Sequence, residues 1–261
     1  MDTRQQYWDN YIKYWFERVA DSNTKKSQTK DKMPNDEIMS RYITLLVDTL
    51  RTFKKPKKLR ILDYGCGFGR AYPYFEKLHC AYYGVDIAQS CVDYASATYP
   101  KATIQKLGKN DVIPFEDDYF DGVFCYGVFD ACYQHITIGE ILRVLNKQGI
   151  ALITGKNDNY LESDEMALVA EVGARKNNHP NFFTNTPLLI EQLTKRHINI
   201  IEARYFLKRE DNATDTYLTT MPEKFYTYAF LVQKTQESLL EPFANFSDIY
   251  SKTFKNQDKK L

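Results

Sequence analysis

Three glycines at alternate positions, Gly65, Gly67 and Gly69, follow the apolar run Leu59-Arg60-Ile61-Leu62 and the acid Asp63. Such a run reads as a buried strand entering a tight turn, where glycine lets a ligand approach the main chain closely. A helix after the turn would present its first N–H groups to whatever lies above it. The glycines alone are equally compatible with a plain tight turn. A second acid sharpens the reading: Asp86 ends the run Tyr82-Tyr83-Gly84-Val85 and stands 21 residues after Gly65. That is close to the ~20 residues at which a carboxylate takes ribose hydroxyls. The competing use of Asp86 is as the N-cap of a helix starting near Ala88. The spacing G-x-G-x-G departs from the G-x-G-x-x-G of dinucleotide sites.

The elements that must position these residues alternate along the chain. Strands are predicted at 59–64, Ala81–Asp86, Thr103–Leu107, Gly122–Tyr126 and Gly149–Thr154, with helices at about 70–78 and 88–98 and one ending near Leu145. This alternation implies βαβ crossovers and a parallel sheet. Gly149 is expected to supply a flexible exit from the turn Asn146-Lys147-Gln148. The stretch Lys156 to Thr184 exceeds the usual connection of about 2–6 residues. It holds a predicted helix, Ser163 to Ala174, before another helix with Thr186 as N-cap and Pro187 in its first turn. Strands Asn199–Leu207 and Phe225–Val232 then close the sheet as an antiparallel edge.

Upstream, a helix from about Asn35 to Thr52 places Ile38, Tyr42, Leu45, Leu46 and Thr49 on one stripe. Asp21 to Asp36 is polar and reads as a loop. Tyr7, Tyr11, Tyr14 and Trp15 fall at helical spacing, either as core packing or as a lid. The tail from Thr235 carries Leu239, Leu240, Phe243, Phe246, Ile249, Tyr250 and Phe254, the pattern of a docked amphipathic element, with Lys255 to Leu261 as a frayed end. The expected organisation is a lid segment 1–40, a central domain 41–234 with an insertion at 157–184, and an extension 235–261.

At 261 residues, one α/β domain with additions fits as well as two domains. A net charge of +1 makes nucleic acid an unlikely partner on bulk charge. The basic run Lys54 to Arg60 reads as a solvated loop or a phosphate patch. No apolar run approaches the ~20 residues of a membrane span, and the N-terminus lacks the plan of a signal peptide. Five cysteines without a C-x-x-C pair indicate reduced thiols in a cytoplasmic protein, and four scattered histidines show no metal-ligand spacing.

Together these residues resemble a class I S-adenosylmethionine-dependent methyltransferase. Leu62-Asp63-x-Gly65-Cys66-Gly67-x-Gly69 is similar to that family's first motif and Gly84-Val85-Asp86-Ile87 to its second. Gly108 to Phe115 with Phe120-Asp121-Gly122-Val123 resembles a third, and Leu142-Arg143-Val144-Leu145 with Gly149 a fourth. The resemblance covers about Arg41 to Thr154. It implies a three-layer αβα, Rossmann-like, seven-stranded and mostly parallel sheet with an antiparallel last strand, carrying an N-terminal helical lid and an insertion after the fifth strand. It implies S-adenosyl-L-methionine as cofactor and S-adenosyl-L-homocysteine as product. Asp63, Gly65, Cys66 and Gly67 would surround the methionyl tail, Asp86 would hold the ribose, and Ile87 would pack on the adenine. Tyr126 would face the sulfonium with Cys125 and Gly127. Lys109 stands where the family usually has Asp, so Asn110 or Asp111 would accept from the adenine amino group.

The implied activity is methylation of a small-molecule acceptor on oxygen or nitrogen. Candidate bases are Asp130, placed where relatives often carry His, then His135 and His179. His135 reads equally as a helix-surface histidine. Tyr7, Tyr11, Trp15 and Asp158 are candidate acceptor contacts. The alternatives are an RNA or protein methyltransferase, a Rossmann dehydrogenase, and a non-catalytic scaffold partner that retains the fold. The apolar terminal segments also suit a homodimer formed through either end.

Overall fold

The computed structural model describes residues 4–10, 35–53 and 58–258. The helix α1 (4–10) and α2 (Asn35–Phe53) precede β1 (Arg60–Tyr64), α3 (Tyr72–Lys77), β2 (Ala81–Asp86), α4 (Gln89–Thr98) and β3 (Thr103–Lys106). Next come β4 (Phe120–Cys125), α5 (Gln134–Val144), β5 (Leu145–Lys156), α6 (Glu165–Lys176), β6 (Phe183–Thr184) and α7 (Thr186–Lys195). The chain closes with β7 (Ile198–Phe206), α8 (Asp211–Thr214), β8 (Thr227–Lys234), β9 (Ser247–Asp248) and α9 (Lys252–Asp258).

Seven strands form one sheet in the order β3-β2-β1-β4-β5-β8-β7. β1 pairs in parallel with β2 and β4, and β8 runs antiparallel to both β5 and β7. The antiparallel last strand is as expected, but it is threaded inside the edge, leaving β7 outermost. β1 and β4 are buried on both faces, which suits central strands of a parallel sheet.

Helix α2 packs on one face through Ile38, Met39, Tyr42, Ile43, Leu46, Val47 and Leu50. The buried stripe is therefore rotated from the predicted one, with Leu45 and Thr49 only half-buried at its margin. The opposite face packs on α5 and α7 through Ile138, Ile141, Leu142, Leu189 and Leu193.

Three local expectations are corrected. The left-handed residue between α5 and the paired part of β5 is Gln148, with φ 66°. Gly149 serves instead for close approach: a Cβ there would lie 2.7 Å from the Asn146 carbonyl oxygen. The N-cap of α7 is Asn185, whose Oδ1 accepts from the Leu188 N–H, while the Thr186 hydroxyl donates to Asn157. The C-terminal extension is a strap rather than one amphipathic element. Only Phe243 and Phe246 join the core, while Leu239, Leu240, Ile249 and Tyr250 stay exposed. β9 of this strap pairs with β6, and α9 remains helical through Asp258.

Candidate active site

The parallel strands end together, so the turns that follow them share one edge of the sheet, where α/β ligand sites form. After β1, Gly65, Gly67 and Gly69 all have positive φ (74°, 53° and 76°). A Cβ on Gly65 would lie 2.5 Å from Val128, so the loop after β4 closes tightly on this turn. A Cβ on Gly67 would meet nothing within 4 Å, which leaves an open cradle over the main chain. Cys66 turns inward: its thiol is buried, lies against Gly84, and is pushed well up by burial. Only its main chain faces the cradle.

Two buried carboxyls flank the turn. Asp63 accepts from the Tyr82 hydroxyl at 2.7 Å, and burial pushes it up to about 7. Asp86 accepts from the N–H groups of Gly67 at 2.9 Å and Ala88 at 2.8 Å. It thus ties the turn to the start of the connection into α4, whose N-cap is Ala88 and carries no side-chain cap, so the N-cap use weighed from sequence is not the one observed. Burial pushes its carboxyl up to about 6 against those N–H groups, and Asp9 on α1 adds to the rise. Ile87 is half-buried beside it.

In the loop after β3, Asn110 and Asp111 both adopt left-handed φ, 57° and 61°. Asn110 is exposed, whereas Asp111 is buried and paired with Arg4 of α1 at 2.9 Å. The second oxygen of Asp111 is buried without a hydrogen-bond partner. Such an orphan is costly unless a donor arrives. Arg143 and Glu140 of α5 brace the following loop, bonding Ile113 and Phe115 through their main chains.

Further candidate residues lie at the ends of β4 and β5. Tyr126 packs on Tyr42 at 5.3 Å and stacks on Phe124, and burial pushes its hydroxyl up to about 12. Asp130, in the turn Phe129–Ala131, pairs with Lys156 at 2.6 Å. Burial pushes the Asp130 carboxyl up, but Lys156 outweighs it and the net displacement is downward. Lys156 also donates to the Asn181 side-chain oxygen at 2.6 Å.

Above this pair, the Tyr7 hydroxyl and His179 Nδ1 are 2.8 Å apart, with Trp8 edge-on to the imidazole at 5.2 Å. Trp8 and Phe68 pack against Ala88 and Cys91. Helix α1 therefore roofs the edge through Arg4, Tyr7 and Trp8, an i, i+3, i+4 set. Tyr11 and Trp15 lie outside the described residues.

Two candidates stand apart from this cluster. His135 occupies the first turn of α5 with a buried, unpartnered Nδ1. Asp158 pairs with Lys252 at 2.9 Å and is hydrogen-bonded through its main chain to Thr184, Lys252 and Thr253, an anchorage for the strap. Sequence reasoning missed Lys156, Arg4 and Asn181. Position at the end of a central strand could have flagged Lys156; Arg4 and Asn181 carry no local signal.

Residues 62–153 match a family described as a methyltransferase domain. This stretch is a methyltransferase domain. A protein of Methanocaldococcus jannaschii described as uncharacterized is 28% identical over 131 residues, 50% of this chain and 54% of that protein. The chain thus spans about half the length of this curated relative.

Among solved structures, a methyltransferase from Thermotoga maritima described as a possible histamine N-methyltransferase superposes with a TM-score of 0.57 at 13% identity, covering 89% of this chain and all (100%) of that one. The magnesium protoporphyrin IX methyltransferase of Synechocystis, bound to S-adenosylhomocysteine, gives 0.56 at 12%, covering 88% and 98%. At these identities the likeness speaks for the fold.

The methyltransferase domain fits its cofactor on its own geometry. Open space lies over Gly67, the Asp86 carboxylate borders it, and one Asp111 oxygen is buried with no hydrogen-bond partner, features that would suit a methionyl tail, a ribose and an adenine amino group. Among the described residues, no helix is long and apolar enough to cross a membrane.

Proposed function

We propose that the chain transfers a methyl group from S-adenosylmethionine to an oxygen or nitrogen of a small molecule. The observation that carries this reading is the roof. The Arg4–Asp111 ion pair and the Tyr7–His179 hydrogen bond hold α1 over the sheet edge. Beneath that roof we read the polar group Asp130, Lys156 and Asn181 as the acceptor side, a setting that suits a metabolite better than a polymer. The five buried free thiols fit a cytoplasmic setting. Among the described residues, exposed Leu239, Leu240, Ile249 and Tyr250 of the C-terminal extension are available to a homodimer.

S-adenosylmethionine, when bound, supplies an electrophilic methyl group on a sulfonium. The protein's part is to hold the acceptor in line and to remove a proton where the nucleophile carries one. Asp130 is held ionised by Lys156, which makes it a weak base and an effective orienting group. His179 takes the proton-accepting role in this reading, because its imidazole can accept a proton and Tyr7 holds its ring. Tyr126 and the α1 aromatics exclude water from the reacting centre.

Calorimetry with S-adenosylhomocysteine, followed by a screen of metabolite pools for transfer of a labelled methyl group, tests the proposal. Saturable binding and a labelled small product are expected. Absence of S-adenosylhomocysteine binding would overturn it.

A further inference from the structure

Three hydroxyl-bearing residues are joined by contacts where β4 and β5 end on the α2 side of the sheet. Tyr126, the residue after β4, stacks on Phe124 and lies 5.3 Å from the Tyr42 ring of α2. The next residue, Gly127, is exposed and donates its N–H to the Thr154 hydroxyl at 2.7 Å. A Cβ on Gly127 would meet nothing within 4 Å, so open space lies over bare main chain next to Tyr126. Thr154 pairs with Ala229 of β8, and Ala229 with Arg204 of β7, whose guanidinium lies 5.7 Å from the Tyr42 ring centre. Ala229 belongs to the core under α2, so its partner Thr154 shares that face. Lys156, two residues further along β5, shares it by strand alternation, which makes this wall continuous with the Asp130–Lys156 pair.

These hydroxyls have unused capacity. Among the described residues, the Tyr42 and Tyr126 hydroxyls have no hydrogen-bond partner, and neither oxygen is sealed from solvent. Thr154 accepts from Gly127 and, among the described residues, donates to nothing. Burial pushes both phenols up, so they stay protonated and able to donate. The charges that act on the two phenols are paired with one another. Arg204 meets Glu202 at 2.7 Å and Asp215 at 3.8 Å, and Arg70 meets Asp36 at 3.5 Å. What the wall offers a ligand is aromatic surface and neutral hydroxyls.

We propose that Tyr42, Tyr126 and Thr154 form an acceptor subsite for an uncharged planar ring bearing an oxygen substituent, so that the substrate class is phenol-like metabolites. This rests on the methyltransferase reading above. A flat ring suits the aromatic surface and the bare main chain of Gly127, because aromatic rings favour stacked or edge contacts. Its oxygen accepts from the phenol and threonine hydroxyls, which have no other acceptor among the described residues. An ionic group would lose its water here and find only charges already paired, so the site selects against it.

The test uses the full chain loaded with S-adenosylhomocysteine and a matched set of probes: 4-hydroxybenzamide, benzamide, 4-hydroxybenzoate and the saturated 4-hydroxycyclohexanecarboxamide. 4-Hydroxybenzamide is expected to bind about tenfold more tightly than each of the others, the scale of one or two neutral hydrogen bonds. Tyr42→Phe and Thr154→Val keep the side-chain shapes, so neither should disturb the fold. Each is expected to cut the preference over benzamide several-fold while S-adenosylhomocysteine affinity stays the same. Equal binding of benzamide, or a preference that survives both substitutions combined, would overturn the subsite. Equal or tighter binding of the saturated probe would overturn its assignment to planar rings, and of 4-hydroxybenzoate its assignment to uncharged ones. Absence of S-adenosylhomocysteine binding by the wild-type chain would instead overturn the methyltransferase reading.

Discussion

The Asp130 carboxylate and the Lys156 ammonium meet at 2.6 Å where β4 and β5 end, each compensating a charge that the sheet edge would otherwise strand. Neither residue is free to act alone. A carboxylate drawn below its ordinary range accepts protons poorly, and an ammonium locked to it and to Asn181 is a fixed positive point. The pair is therefore a positioning device, and its consequences can be measured.

Asp130→Asn should lower turnover while leaving S-adenosylhomocysteine affinity intact. It should also destabilise the fold, because breaking a buried pair costs about 3–5 kcal/mol and this one is only partly sealed. The sign of the pH effect follows from the downward displacement from 3.8. The stabilisation is complete above that ordinary value and is lost as pH falls through the lower folded value. Thermal melts across roughly pH 5 to 2 should show wild type converging on the variant. Parallel curves would remove the ion pair from the account.

Asp86→Ala should weaken S-adenosylhomocysteine binding by roughly 1.5–3 kcal/mol, the scale of hydrogen bonds to a charged group. With its carboxyl at about 6, wild-type affinity should fall as pH drops below that value, since the protonated form loses acceptor capacity. Calorimetry at several pH values checks both. A flat profile would place the ribose elsewhere.

Asp63 gives a stability prediction of the opposite sign. Its folded value, about 7, lies above the ordinary 3.8, so its protonated form is favoured in the fold. That preference stabilises at low pH and fades as pH rises through the folded value. Asp63→Asn, which can still accept from Tyr82, should raise the melting temperature at pH ~8 by more than about 2 °C. At pH ~5 the difference should shrink. An equal shift at both pH values would contradict the assignment.

His179→Gln should reduce turnover by about 10²–10⁴ if the acceptor loses a proton in the reaction. Tyr7→Phe should produce a smaller loss, because it removes one hydrogen bond to the imidazole and keeps the ring. A His179→Gln enzyme with undiminished turnover would leave the roof as a purely structural cover.

The sheet was legible because its signals are local. Apolar runs, turn glycines and helical periodicity each act over a few residues, and β2 falls at Ala81–Asp86 as read. Asp86 was legible by its spacing from Gly65. The charge partners were not. Arg4 finds Asp111 across 107 residues of chain, and no local pattern encodes that choice. The α2 stripe was misread by a fraction of a turn because Ile38, Tyr42 and Leu46 fit both stripes, while Ile43, Val47 and Leu50 declare the buried side only when packed.

The pairing of β9 with β6 has a temporal meaning. Phe183–Thr184, which follow the Asn181 that holds Lys156, pair as a strand with Ser247–Asp248, while Thr184 also bridges Asn157. Tyr160, inside the same insertion, is bonded to Thr253. A growing chain therefore has its glycine corner in hand after β4, but lacks support for the 157–184 insertion until residues 247–253 have left the ribosome. The glycine corner and the insertion mature at different moments of synthesis.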